Sequence, residues 1–138
     1  MKIKLFIFLL IPYISTFSQV YWPNHCIDSI RIDYISMTDF YFAQVTPCDF
    51  DNMITHRDSK KIIIENDTIC LKAEAALSKL QKKNSANGLD VRRRLILFCN
   101  GKSPVKVYIS QFYVFVNDAI YIYSDELKSI IEPLIEDD

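Results

Sequence analysis

Few residues in this chain have side chains suited to chemistry. They are four cysteines (Cys26, Cys48, Cys70, Cys99), two histidines (His25, His56), the run Arg92-Arg93-Arg94, and an acidic group at Asp49, Asp51 and Asn52. His25-Cys26 with His56 could in principle supply a thiol and a base. A nucleophilic thiol must be free, partly exposed and within reach of that base. The even cysteine count offers a simpler use, two disulfides, for which three connectivities exist. With no C-x-x-C in the sequence, neither a thioredoxin-like redox site nor a zinc ribbon is expected. Asp49, Asp51 and Asn52 fail as a calcium loop, because Ile54 and Lys60 stand where an EF-hand needs Gly and Glu. Turn and cap chemistry suits them better. H-E-x-x-H, G-x-S-x-G, P-loop and dinucleotide glycine patterns do not occur. No catalytic residue, metal ligand or cofactor is assigned, and a small hydrolase using His56 with an Asp is the rival enzyme reading.

Disulfides require an oxidising compartment, and the N-terminus reads as the means of reaching one. Lys2 and Lys4 precede an apolar stretch from Leu5 to Ile14, and Thr16 and Ser18 occupy the small-residue positions before Gln19. Residues 1–18 are therefore expected to be a signal peptide and residues 19–138 a single domain of about 120 residues. The apolar stretch is too short to span a bilayer, so the mature chain is expected to have no membrane span. The full chain has 16 basic and 17 acidic residues. Without the leader, 14 basic residues remain against the same 17, for a net charge of −3. That balance argues against a nucleic-acid partner. Half the residues are hydrophobic and only two are glycine, which is enough apolar material for a packed core.

Hydrophobic periodicity supplies the elements that would position these residues. Residues 27–35 alternate, with Ile30, Ile32 and Tyr34 on one face, and residues 39–45 follow with Phe40, Tyr41 and Phe42. A hairpin turning at Met37 would set Ile32 against Phe42, Tyr34 against Phe40, and Cys26 against Cys48. This register is the reason to expect a Cys26–Cys48 bridge. A turn or short helix is expected around residues 49–54, and Ile62-Ile63-Ile64 is a short strand. Ile69, Cys70, Ala73, Ala76, Leu77 and Leu80 form a helical stripe capped by Asp67, with Lys72, Lys79, Lys82 and Lys83 on the polar side. Gly88, at the centre of residues 84–89, is expected to end that helix.

A β meander comes next: 90–99, 105–109, 112–116 and 119–123, with turns at Asn100-Gly101 and Asn117-Asp118. Ser124 caps a final helix that Pro133 bends or ends. An antiparallel helix–strand pair would bring Cys70 to Cys99, closing a loop of about 30 residues worth roughly 3–4 kcal/mol. The expected architecture is α+β: a two-layer domain with a mostly antiparallel sheet (hairpin, helix, meander) and a central and a C-terminal helix.

Arg92 and Arg94 share a strand face opposite to Arg93, so the run is expected to be a solvated strand end rather than an anion site. Tyr108, Tyr113, Tyr121 and Tyr123 fall in consecutive strands, with Phe112 and Phe115 among them. If helices cover one side of the sheet, several of these tyrosines lie on the other and can bind a protein partner. Cross-strand aromatic packing is the competing use. Asn66-Asp67-Thr68 matches the N-glycosylation pattern, and Asp28-Ser29-Ile30 and Asp67-Thr68-Ile69 match a short bacterial O-glycosylation acceptor.

The leader ending Phe-Ser-Gln, the Asp-Ser-Ile-Arg-Ile strand, the amphipathic helix, Asp-Val-Arg before an apolar strand, Asn-Gly and the Tyr-rich hairpin resemble small exported bacterial proteins of unknown function. The resemblance implies no activity and supplies no functional residue; the leader and the cysteines lead to the expectation of export to the periplasm or cell surface. The expected role is binding of a protein partner in the cell envelope, as an inhibitor, immunity or accessory factor. A purely structural envelope component is the other alternative.

Overall fold

Alternation in Ile27–Tyr34 and apolar continuity in Arg93–Cys99 create the two strands around which the domain is organised. A computed structural model of the chain describes residues 26–35, 44–56 and 59–135. The expected signal peptide and the expected strand residues 39–43, including Phe40 and Phe42, lie outside the described residues. The elements are β1 (Ile27–Tyr34), α1 (Pro47–His56), β2 (Lys60–Ile64), α2 (Asp67–Ser78), β3 (Lys82–Lys83), β4 (Arg93–Cys99), β5 (Val105–Ile109), β6 (Tyr113–Val116), β7 (Ala119–Ile122) and α3 (Asp125–Ile131). A 3₁₀ turn, Glu132–Leu134, follows α3. The strands form one seven-stranded antiparallel sheet in the order β2-β1-β4-β5-β6-β7-β3. The domain is α+β, as the periodicity implies.

Register assigns every strand residue to a face. Ile30, Ile32, Leu95, Leu97, Val107, Ile109, Val114 and Tyr121 line the side covered by α2 and α3, and all are buried. From the helices, Cys70, Ala73, Ala76, Leu77, Leu127 and Ile131 complete this core. Each large aliphatic side chain buried there contributes roughly 1.5–3 kcal/mol relative to exposure. α2 starts at Asn66, whose Oδ1 accepts the Ile69 N–H at 3.1 Å, one residue earlier than expected. Ser124 caps α3 as expected, accepting from Leu127 N at 3.2 Å. At the β6–β7 turn Asn117 and Asp118 both have positive φ (49° and 60°), the mirror-image turn that matches strand twist. At the β4–β5 turn only Gly101 does (φ 71°), and Lys102 N–H closes the turn onto the Cys99 carbonyl.

The structure corrects four expectations. Both edges of β1 are occupied, Ile32 pairing with Ile62 of β2 and Leu95 of β4, and Cys48 lies in α1 instead of ending a strand. α2 stops at Ser78 rather than near Gly88. Lys82 and Lys83 leave the helix to pair with Tyr121 and Ile120 on the outer edge of β7, where Gln81 also accepts the Ile122 N–H. A third helix, α1, adds partial cover on the second side of the sheet. Cys26 is bonded to Cys99, because the β1–β4 register sets Ile27 opposite Cys99; Cys48 is free and exposed, and Cys70 is free and buried. Neither Cys26–Cys48 nor Cys70–Cys99 forms.

The Cys26–Cys99 bridge spans a sequence separation of 73 residues. Chain-entropy arguments give such a loop roughly 4 kcal/mol. Replacing both cysteines with Ser should therefore lower the melting temperature by on the order of 10 °C or more. A non-reducing peptide map should show Cys26 joined to Cys99; a bridge through Cys48 or Cys70 would contradict this register.

Candidate functional site

The second face of the sheet carries the charged and aromatic side chains. Residues that alternate with the core positions appear here in strand order: Lys61 and Ile63 of β2; Ser29, Arg31 and Asp33 of β1; Arg94, Ile96 and Phe98 of β4. They continue with Lys106 and Tyr108 of β5, Tyr113 and Phe115 of β6, Ile120 and Ile122 of β7, and Lys83 of β3. One end of this face is covered by α1. That helix is started by a reciprocal cap: Thr46 Oγ1 accepts the Asp49 N–H at 3.2 Å and donates to Asp49 Oδ2 at 2.6 Å, with Pro47 at the first helical position. The Thr46 hydroxyl and the Thr46 backbone N–H, both donating to Asp49 Oδ2, hold the Asp49 carboxyl below its usual range. Phe50 is fully buried against Ile35, Val45 and Val91, and the Arg94 guanidinium lies 6.0 Å from its ring centroid. Asp90 Oδ1 accepts the Val45 N–H at 3.0 Å and fixes the approach to α1.

Beneath α1 lies a continuous ion network. Arg94 donates through Nε and Nη2 to Asp33 Oδ2 (3.1 and 2.5 Å) and through Nη1 to Asp51 Oδ1 (2.5 Å). Asp51 Oδ2 accepts from Lys106 Nζ at 2.8 Å and from the Tyr108 hydroxyl at 2.9 Å. Arg31 Nη2 reaches Asp33 Oδ2 at 3.2 Å. Asp33 is 0% exposed and Arg94 6%. A buried charge is tolerated only when paired and hydrogen-bonded, and this geometry meets that condition on both sides of the guanidinium. Burial pushes the Asp51 carboxyl up, but donation from Lys106, Tyr108 and Arg94 outweighs it, and the net shift is downward. Burial lowers the basicity of Arg94, whereas Asp33 and Asp51 raise it, and the carboxylates prevail. Burial, with Asp51 alongside, pushes the Tyr108 hydroxyl up to about 12, so it stays protonated as a donor.

A cleft of about 330 Å³ opens at the end of the sheet between Gly88, Arg92, Arg93, Gln111, Phe112 and Glu132. Its arginines carry their own carboxylates: Arg92 Nε meets Asp90 Oδ2 at 3.0 Å, and Arg93 meets Glu132, which also accepts the Tyr123 hydroxyl at 3.2 Å. The cleft is therefore close to electrically neutral at its walls.

The arginine run is not a solvated strand end. Arg93 turns to the helix side, Arg94 is buried in the network, and all three guanidinium groups are in ion pairs. The structure also divides the four tyrosines. Tyr121 (5% exposed) and Tyr123 (3%) are buried on the helix side, and Lys128 Nζ sits 5.3 Å from the Tyr123 ring centroid. Tyr108 and Tyr113 lie half-buried on the second face. Cys70 is buried in the helix-side core, its thiol pushed up by burial and by Asp67, Asp28 and Glu74. His25 and the side chain of His56 lie outside the described residues. Sequence reading missed Asp33, Asp51 and Lys106 as members of one site. The available signals were the Thr46-Pro47-Cys48-Asp49 cap and the polar alternation of Arg31 and Asp33 with Ile30 and Ile32. Among the described residues, no helix is long and apolar enough to cross a membrane.

No protein-family model matches the chain, and neither the curated proteins nor the solved structures searched contain a significant match.

Two measurements probe the network. Arg94→Met strands the Asp33 carboxylate and should cost about 3–5 kcal/mol in denaturant unfolding, with adding Asp33→Asn recovering part of the loss. Asp51 has a folded-state pKa below the 3.8 of the unfolded chain, so its contribution is complete above that value and is lost as pH falls through the lower one. The unfolding midpoint should therefore drop as pH is lowered from about 5 to about 2, and Asp51→Asn should flatten that drop.

Proposed function

We propose that this chain is an exported domain that binds a protein partner in the bacterial cell envelope, as an inhibitor, immunity or accessory factor. The observation that carries the reading is the unequal cover of the sheet. On the second face Ile63 is 68% and Ile122 37% exposed, and Phe98, Tyr113, Phe115 and Ile120 are half-buried; Phe112, whose ring meets that of Tyr113, is 59% exposed. Aromatic and aliphatic side chains on a sheet fixed from behind by two helices form a preorganised contact surface with little side-chain entropy to lose. A disulfide across β1 and β4 supports export, since such bonds persist in oxidising compartments.

Immobilised protein should retain a stoichiometric partner from cell-envelope extract, and Tyr113→Ala with Phe115→Ala should abolish retention while leaving the melting curve cooperative. Finding no partner across several salt concentrations, or retention unaffected by the double substitution, would refute the reading.

A further inference from the structure

Resting on that binding reading, we infer that the partner presents an acidic surface with an apolar centre. Among the described residues, the second-face strands and α1 together set five cations, Lys61, Arg31, Arg94, Lys106 and Lys83, against three carboxylates, Asp33, Asp49 and Asp51. All three are already committed, Asp33 to Arg31 and Arg94, Asp51 to Arg94, Lys106 and Tyr108, and Asp49 to its cap at Thr46. A chain whose formal net charge is −1 thus concentrates positive charge on one side. The exposed members, Lys61, Lys106 and Lys83, stand on β2, β5 and β3, with Ile63, Phe98, Phe115 and Ile120 also on that face. Covering those apolar groups would remove water from around the cations. Lys106 keeps Asp51, and Lys61 and Lys83 would each then require a carboxylate from the partner, because an uncompensated buried charge opposes binding.

The same arrangement favours protein over nucleic acid. A phosphate backbone calls for a dense cationic track and a strong basic excess, whereas here aliphatic and aromatic side chains separate the cations. The complementary surface is one that alternates carboxylates with apolar side chains. Such a surface also gains association rate from the positive face at low salt.

A fluorescein-labelled synthetic peptide alternating Glu and Phe serves as the probe, with a Lys/Phe peptide, single-stranded DNA and phosphatidylglycerol vesicles as rivals. The Glu peptide should bind by fluorescence anisotropy, shift backbone amide resonances in β1, β2, β4 and β5, and weaken with added salt. Lys61→Glu combined with Lys83→Glu, both exposed and so compatible with folding, should reduce its affinity about tenfold or more. Equal binding of the Lys peptide, tighter binding of DNA or vesicles, shifts confined to the helix side, or no binding would overturn the inference. If the envelope partner is lost on Tyr113→Ala with Phe115→Ala but kept by the two charge reversals, the acidic-partner inference fails and the binding reading stands. If neither pair of substitutions affects it, both fail.

Discussion

The placement of one guanidinium decides how the second side of this sheet is built. Arg94 lies on β4, a central strand, with Asp33 beside it on β1, and both are almost fully enclosed. A permanent cation and a carboxylate removed from water stay ionised only where they are paired and hydrogen-bonded. Asp33 accepts from Nε and Nη2 of Arg94, and Asp51 accepts from Nη1 from above. Asp51 belongs to α1, a helix of ten residues that is too short to persist in isolation. The network and the Phe50 contact behind it are therefore what fix α1 to the sheet. In return α1 supplies the low-dielectric cover that makes the ion pairs strong.

β1 is the other constraint. It lies between β2 and β4, and its partner residues on β4 are 59 to 72 positions away in sequence, from Tyr34↔Arg93 to Ile27↔Cys99. Closing loops of that length opposes folding entropically, and the contacts that repay it form late. Cys26–Cys99 ties this particular ladder at its end, beside the Ile27–Cys99 pair. The bond thus holds together the pairing that local sequence does least to specify. Glu74 of α2 adds a polar contact at the same end, accepting the Ile27 N–H at 3.3 Å.

Local signals in the sequence place most local structure, although the cap of α2 is Asn66 instead of Asp67. The stripe Cys70, Ala73, Ala76, Leu77 gave α2, Ser124 gave the start of α3, and Asn117-Asp118 gave the tight β6–β7 turn. What failed was non-local. Nothing in residues 27–35 states that β4 rather than the next segment pairs with it, and an alternating strand can be satisfied by any apolar neighbour of matching parity. The expected Cys26–Cys48 bridge rests on that hairpin register and fails with it, whereas Cys70–Cys99 rests on a helix–strand pairing that leaves Cys99 free, and Cys26 takes it instead. The arginine run was misjudged for a related reason. Its split between faces was legible, but burial of Arg94 depends on Asp33 and Asp51, which approach from elements 61 and 43 residues away. The fate of Tyr121 and Tyr123 likewise required knowing which parity faces the helices.

Along β4 the second face grades from charged to apolar: Arg94, then Ile96, then Phe98. A fold optimising burial alone would set its extra helix over the apolar end and leave the arginine to solvent. Here α1 docks over Arg94 and Tyr108, while Ile63, Phe98 and Phe115 remain partly in water. Ile96 is the partial exception at 6% exposed, and its register neighbours Arg31 and Lys106 have stems long enough to shield it while their charges stay outward. Leaving apolar groups uncovered beside enclosed charges lowers stability on both counts. Such an inversion is retained where the uncovered groups have another use, and the proposed partner contact would be one.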